Sequence, residues 1–190
     1  MSRVTSWILT IGGALGLLGS FELVVEKFEL LKDPSATLFC DINPVISCGS
    51  VILTEQASVF GFANPILGLM GFSVVITLGV LAIANVELPR WVWVGLNIGA
   101  TLALAFVIWL ISQSLYVIGA LCPWCMLVWT VTILIFWNLT VDNMVSGRIK
   151  VSPGFAEVMG ALRWFFVAGS YLIIIALIFV RWMDFWLGRG

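Results

Sequence analysis

The chain has 190 residues, of which 62% are hydrophobic and only 10% charged, with a formal net charge of −1. A water-soluble domain of this length needs a far larger charged fraction to cover its surface, and a nucleic-acid partner needs a basic patch, so both are excluded. The sequence holds no histidine, which removes the usual haem and zinc ligand and the commonest general base and leaves four cysteines as the strongly nucleophilic side chains.

A bilayer crossing takes about 20 apolar residues, and five such runs follow in chain order. The first, from Val4 to Leu23, follows Arg3 and stays apolar to about Val25. It is too long for a signal-peptide core and ends in no small-x-small cleavage site, so it reads as a span. Its glycines, Gly12, Gly13, Gly16 and Gly19, have the small-residue spacing that lets helices approach closely. A polar stretch follows with Glu22, Glu26, Lys27, Glu29, Lys32, Asp33 and Pro34, then a loop from Phe39 to Ser50 carrying Cys40 and Cys48. Val51 to Phe60 reads as a short amphipathic piece at the membrane interface. Span 2 covers Asn64 to Ala84, and the tight connection Asn85 to Arg90 contains Pro89. Span 3 covers Trp91 to Ile118, long enough to tilt or protrude. After a very short turn, Gly119 to Cys122, span 4 runs from Cys122-Pro123 to Val141. Asp142 to Glu157 is a polar loop, and span 5 covers Ala161 to Trp182. Trp91, Trp93, Trp164, Trp182 and Trp186 fall near span ends, where indoles anchor in the headgroup layer.

The fold class is therefore all-α: a four-helix transmembrane bundle plus a fifth transmembrane helix. Residues 1–141 form the bundle with a cysteine loop at 25–60, residues 142–160 a cytoplasmic loop, and residues 161–190 the fifth helix and tail. Arg3, Arg90, Arg148, Lys150 and Arg163 lie on one side, against Lys27, Lys32, Arg181 and Arg189 on the other. This small excess places the N-terminus in the cytoplasm. Both cysteine-bearing segments then face the extracytoplasmic side of the inner or plasma membrane.

Cys122-Pro123-Trp124-Cys125 is a C-x-x-C motif at a helix start. Proline suits the first helical position, and a cysteine at the N-cap meets free N–H groups and the helix dipole, which favour a thiolate. Two intervening residues allow an intrahelical disulfide to form and break. Cys40 and Cys48, with seven residues between them in a loop with Pro44 and Gly49, form a second pair. Two pairs suggest a relay from an external dithiol, through the loop, to the helix pair and on to an acceptor. With no haem ligands, nucleotide fingerprint or iron–sulfur spacing, a lipid-soluble quinone fits as that acceptor. The competing reading is a membrane metal-binding protein or structural subunit, since four thiolates also suit zinc or copper(I).

The loop pair, Cys48-Gly49-Ser50-Val51-Ile52-Leu53-Thr54, Asn64-Pro65-Ile66-Leu67-Gly68 and Leu121-Cys122-Pro123-Trp124-Cys125 together resemble the vitamin K epoxide reductase family, specifically its bacterial members without a fused thioredoxin domain. The likeness spans about Val4 to Val141. It implies a bundle around a quinone, menaquinone or ubiquinone, and a membrane enzyme that oxidises a separate thioredoxin-fold (DsbA-like) dithiol protein outside the cytoplasm, driving disulfide formation in exported proteins. Carried over, Cys125 is the quinone-proximal thiol, Cys122 exchanges with the loop through Cys48, and Cys40 and Cys48 take electrons from the partner. Asn64 matches a quinone-bonding asparagine and Thr54 a serine or threonine near the site. Trp129 stands where the vertebrate enzymes have a tyrosine; an indole donates one hydrogen bond and accepts none, so quinone reduction is the expected activity rather than epoxide reduction.

Overall fold

No proline interrupts the chain before Pro34, and Ser2 accepts the Thr5 N–H at 3.2 Å as an N-cap. In the computed structural model, which describes residues 1–187, helix α1 accordingly runs uninterrupted over Arg3–Lys32. It ends where the Asp33 N–H reaches Glu29 O ahead of Pro34. The polar stretch read as following span 1 is thus, from Glu22 to Lys32, the last turns of the same helix. Charged residues ended the apolar run without ending the helix, because glutamate and lysine are good helix formers.

The remaining elements are α2 (Gly49–Ile52), a 3₁₀ turn at Glu55–Ser58, α3 (Pro65–Ile83), α4 (Arg90–Gln113) closing in a π turn at Ser114–Ile118, α5 (Pro123–Val145), α6 (Pro153–Ala161), α7 (Arg163–Arg181) and α8 (Met183–Trp186). Among the described residues five helical stretches are long and apolar enough to cross a membrane: α1, α3, α4 with its π turn, α5 and α7. The protein is an all-α, multi-pass membrane protein.

Glycine decides the central packing. Gly13 and Gly16 lie against Ile76 and Phe72 of α3, while Gly12 and Gly19 lie against Ile135 and Val128 of α5. Gly79 of α3 returns the contact: a Cβ there would stand 2.8 Å from the Thr10 backbone nitrogen. One helix of small residues therefore serves two neighbours at backbone range. α4 packs on α5, and α3 packs on α1, but α3 and α4 make no extended contact with each other. A cleft opens between them.

Three further expectations change. The 142–157 segment is not all loop, because α5 continues to Val145 and α6 begins at Pro153, with Ser152 before it at the N-cap position. The Val51 to Phe60 piece contains the end of α2 and the 3₁₀ turn, and Val51, Ile52, Ala57 and Phe60 line the α3/α4 cleft. Among the tryptophans, Trp91, Trp164 and Trp186 are exposed as anchors should be, but Trp93 and Trp182 are buried. Trp93 lies beneath the Arg148 guanidinium, 5.5 Å from its ring centre, and Trp182 joins a core cluster with Trp129 and Leu115. Span-end position alone does not distinguish an indole facing lipid from one facing the bundle. Arg189, counted for the charge balance, lies outside the described residues.

Candidate functional site: four cysteines beside an apolar cavity

The loop after α1 is held in shape by its own polar side chains. Asn43 Oδ1 accepts the Val45 and Ile46 N–H groups at 2.9 and 2.8 Å, the turn geometry asparagine favours. Asp41 accepts from Ser47 Oγ at 2.7 Å, Gly49 N at 3.0 Å and Leu38 N at 3.3 Å. Partial burial works against the charged form of Asp41, but these donors together outweigh it and hold its carboxyl below the ordinary carboxylate range. The folded loop then clips onto the turn preceding α5: Ser47 N donates to Leu121 O at 2.9 Å and Leu121 N to Val45 O at 2.7 Å. That turn is tight because Gly119 takes a left-handed conformation, φ 73°, which costs glycine nothing.

This clip brings the two cysteine pairs together. Cys40 and Cys48 are joined in a disulfide, while Cys122 and Cys125 are free thiols. Cys48 Sγ lies 3.3 Å from Cys122 Sγ, and both are fully buried. Cys122 is the N-cap of α5, in extended conformation, with Pro123 next and its sulfur accepting the Cys125 N–H at 3.4 Å. The sulfur that would carry charge during exchange thus already has a backbone donor aimed at it.

Cys125, one turn further, lines the α3/α4 cavity, which has a volume of about 1140 Å³. Trp129, Thr54 and Asn64 line it too. Its wall is otherwise dominated by aliphatic and aromatic residues of α3 and α4, with Gly71, Gly95 and Gly99 on its surface. Beyond each glycine's own backbone surroundings, no atom lies within 4 Å of where a Cβ on those three glycines would sit, so they leave open space. Asn64 holds the N-cap position of α3, but its side chain makes no cap bond: its Nδ2 donates to Gln56 O at 2.7 Å and its Oδ1 accepts from Val59 N at 3.1 Å. It braces the 3₁₀ turn, and one of its two amide hydrogens remains for another acceptor. Thr54 Oγ1 donates to Val51 O at 2.7 Å.

Two side chains here, Glu26 and Trp124, had no assigned part in the sequence reading. Glu26 of α1 is buried, with Oε1 3.1 Å from Cys40 Sγ and accepting the Trp124 indole N–H at 3.2 Å. Its Oε2 has no partner. The spacing Glu22, Glu26, Glu29 showed acidic residues within three turns, but only the fold-back of the loop selects the one that meets a sulfur.

A family model for the vitamin K epoxide reductase family matches residues 7–140. The chain belongs to that family. The match runs from the start of α1 almost to the end of α5, so it takes in all four cysteines and the cavity. Membership in the vitamin K epoxide reductase family carries, in general terms, membrane thiol–quinone oxidoreduction. No curated protein matches the chain. Helix α7, beyond the matched region, braces α5 and the π turn: Tyr171 OH donates to Thr130 O at 2.8 Å, Trp137 Nε1 to Ser170 Oγ at 3.0 Å, and Arg181 Nε to Leu115 O at 2.8 Å.

Proposed function

We propose that this protein oxidises a thioredoxin-fold dithiol protein outside the cytoplasm and delivers the electrons to a quinone, so generating disulfides for exported proteins. The observation that carries the reading is the 3.3 Å approach of Cys48 Sγ to Cys122 Sγ, which joins a closed loop disulfide to an open helix dithiol. At that separation a thiolate attack between Cys48 and Cys122 gives a mixed disulfide, and a second exchange within either pair resolves it, so that two electrons pass between the pairs. The Cys40–Cys48 bond also occupies two of the four thiolates that a metal site would require.

The cavity residues fit a quinone. The apolar walls, the open glycine surface and the spare Asn64 amide hydrogen suit a flat, lipid-soluble ring with a carbonyl oxygen, and Trp129 and Thr54 complete the lining. A quinone, when bound, supplies an acceptor for two electrons and two protons. Cys125 is the thiol at the cavity wall and faces that acceptor, Cys122 exchanges with Cys48, and Cys40 receives the partner. The N-terminus is placed in the cytoplasm, which puts the cysteine end on the oxidising side where disulfides persist. Phe39 beside Cys40 is 97% exposed and Ile42 is 68% exposed, giving an incoming partner an apolar foothold next to the loop disulfide.

The test is a coupled assay. Reduced protein in detergent receives a thioredoxin-fold dithiol and a soluble quinone, and partner thiols and quinone are followed together. One quinone consumed per partner disulfide, abolished by both Cys125→Ala and Cys40→Ala, is the expected result. Stoichiometric bound metal with no quinone-linked thiol oxidation would transfer the cysteines to the metal-binding reading.

A further inference from the structure

We propose that Glu26 is the proton acceptor and donor for Cys40 in the exchange between the loop and helix pairs. The inference rests on the relay described above and adds the group that balances its protons. Every thiol–disulfide exchange exchanges a proton as well as an electron pair, since thiols must lose protons to attack and leaving thiolates must regain them. There is no histidine in the sequence to do this. Around Cys40 the side chain in position is Glu26, with Oε1 3.1 Å from the sulfur and only 7% of the residue exposed.

The local geometry suits a proton shuttle. A disulfide sulfur has no hydrogen, so the Glu26–Cys40 contact is a hydrogen bond when the carboxyl carries the proton on Oε1. The same oxygen accepts from Trp124 Nε1 at 3.2 Å. The Trp124 bond keeps the carboxyl aimed at Cys40 in either protonation state. The unpartnered Oε2 marks a carboxyl that is not consumed in a structural ion pair. Charge from the surroundings reaches Glu26 from Glu22 and Glu29 on its own helix, from Asp41 on the loop, and from Cys125 on α5.

The step balances as follows. With Cys48 bonded to Cys122 as a mixed disulfide, the Cys40 thiol gives its proton to the Glu26 carboxylate. The Cys40 sulfur attacks Cys48, forming the Cys40–Cys48 bond and breaking the Cys48–Cys122 bond. Cys40 is oxidised, and Cys122 leaves as the reduced thiolate at its N-cap. The mixed disulfide arises when Cys48 attacks a Cys122–Cys125 disulfide, whose oxidising equivalents come from a quinone. Glu26 ends protonated, as the contact with the closed disulfide requires, and returns the proton to Cys40 when the partner's second thiolate resolves the partner–Cys40 disulfide and Cys40 leaves.

The experiment is the coupled assay across pH on full-length wild type, Glu26→Gln and Glu26→Asp, with disulfide mapping of acid-quenched samples. Glu26→Gln is expected to lower kcat about 100-fold at neutral pH, to leave the KM for quinone unchanged, and to accumulate the Cys48–Cys122 bond. The deficit should shrink as pH rises and Cys40 ionises unaided, and Glu26→Asp should restore part of the rate. If Glu26→Gln fails to accumulate in membranes, Trp124→Phe carries the test: loss of the indole donor should move the acid limb of the rate profile to higher pH and leave the alkaline limb in place. An unmoved limb, a wild-type rate in Glu26→Gln, or a loss equal at every pH with no mixed disulfide would each overturn the assignment. Wild type without quinone-linked oxidation would sink the relay itself, a result distinct from an active wild type that Glu26→Gln matches.

Discussion

The two ends of the bundle use the same kinds of residues for opposite purposes. At the end holding the start of α1 and the end of α5, Asp142 is almost fully satisfied. It accepts from Ser2 N at 3.0 Å, approaches Thr5 Oγ1 at 3.4 Å and pairs with Arg148 at 3.3 Å. Asn143 beside it donates to Trp93 O and to Asn97, both at 3.1 Å, and Arg90 Nε donates to Arg148 O at 2.6 Å. This is a polar clasp that ties three helices and a turn together. At the cysteine end a carboxyl of similar burial, Glu26, makes one donor contact and leaves an oxygen unpartnered beside a disulfide. Asn143 Oδ1 is left without a partner, but both Asp142 carboxyl oxygens are paired, which fixes that group, whereas the unpartnered oxygen of Glu26 leaves its carboxyl free to change its proton. The comparison says that the clasp end carries stability and the cysteine end carries chemistry.

The sharpest way to break that division is Cys125→Ser. Quinone-linked turnover should fall about a thousandfold or more, to background, while thermal stability in detergent stays within about 0.5–1 kcal/mol of wild type. A large stability loss here would mean the cysteine end is also structural.

The converse is Asp142→Ala. It leaves Arg148, still one-fifth exposed, without its partner and strips an acceptor from Ser2. We expect a loss of about 2–4 kcal/mol, read as a lower unfolding midpoint. The residual folded protein should retain its turnover.

Smaller effects sharpen the reading at the loop surface. Phe39→Asp should raise the KM for a protein dithiol about tenfold and leave oxidation of a small dithiol such as dithiothreitol unchanged. An equal effect on both would place Phe39 in the loop's folding rather than in docking. The smallest expected effect concerns Asp41. Its carboxyl is held below the ordinary range, so its hold on the loop is complete above the unfolded carboxyl value and is lost as pH falls through the folded one. Asp41→Asn should speed reduction of the Cys40–Cys48 bond by a small thiol about threefold at neutral pH. Wild type should show the same acceleration only in acid.

The membrane spans and the cysteine order were legible because both are local: run length gives the first and motif spacing the second. Where the reading missed, the reason was local propensity at two helix ends and tertiary packing elsewhere. Nothing in the apolar pattern shows that α1 continues through Glu26 to Lys32, since helix propensity outlasts hydropathy there. Ser152-Pro153 was a legible helix start within an otherwise polar loop. Trp93 and Trp182 share their sequence context with the exposed tryptophans and differ in which face of the bundle they meet. Asn64 stands at the N-cap position of α3, but its side chain braces a 3₁₀ turn that hydropathy does not reveal. The pairing of Glu26 with Cys40 depends on the loop folding back across α1, set by Asn43, Asp41 and the Leu121 clip, and those bonds cannot be read from spacing.

The central claim is that electrons cross between the pairs at Cys48 and Cys122. The direct measurement is disulfide mapping by mass spectrometry of a Cys40→Ser, Cys125→Ser double variant under mild oxidation. With the outer partner of each pair removed, the account predicts an intramolecular Cys48–Cys122 bond in most molecules, formed without detectable dimer. Two persistent free thiols, or Cys48 linked chiefly to a second molecule, would contradict it.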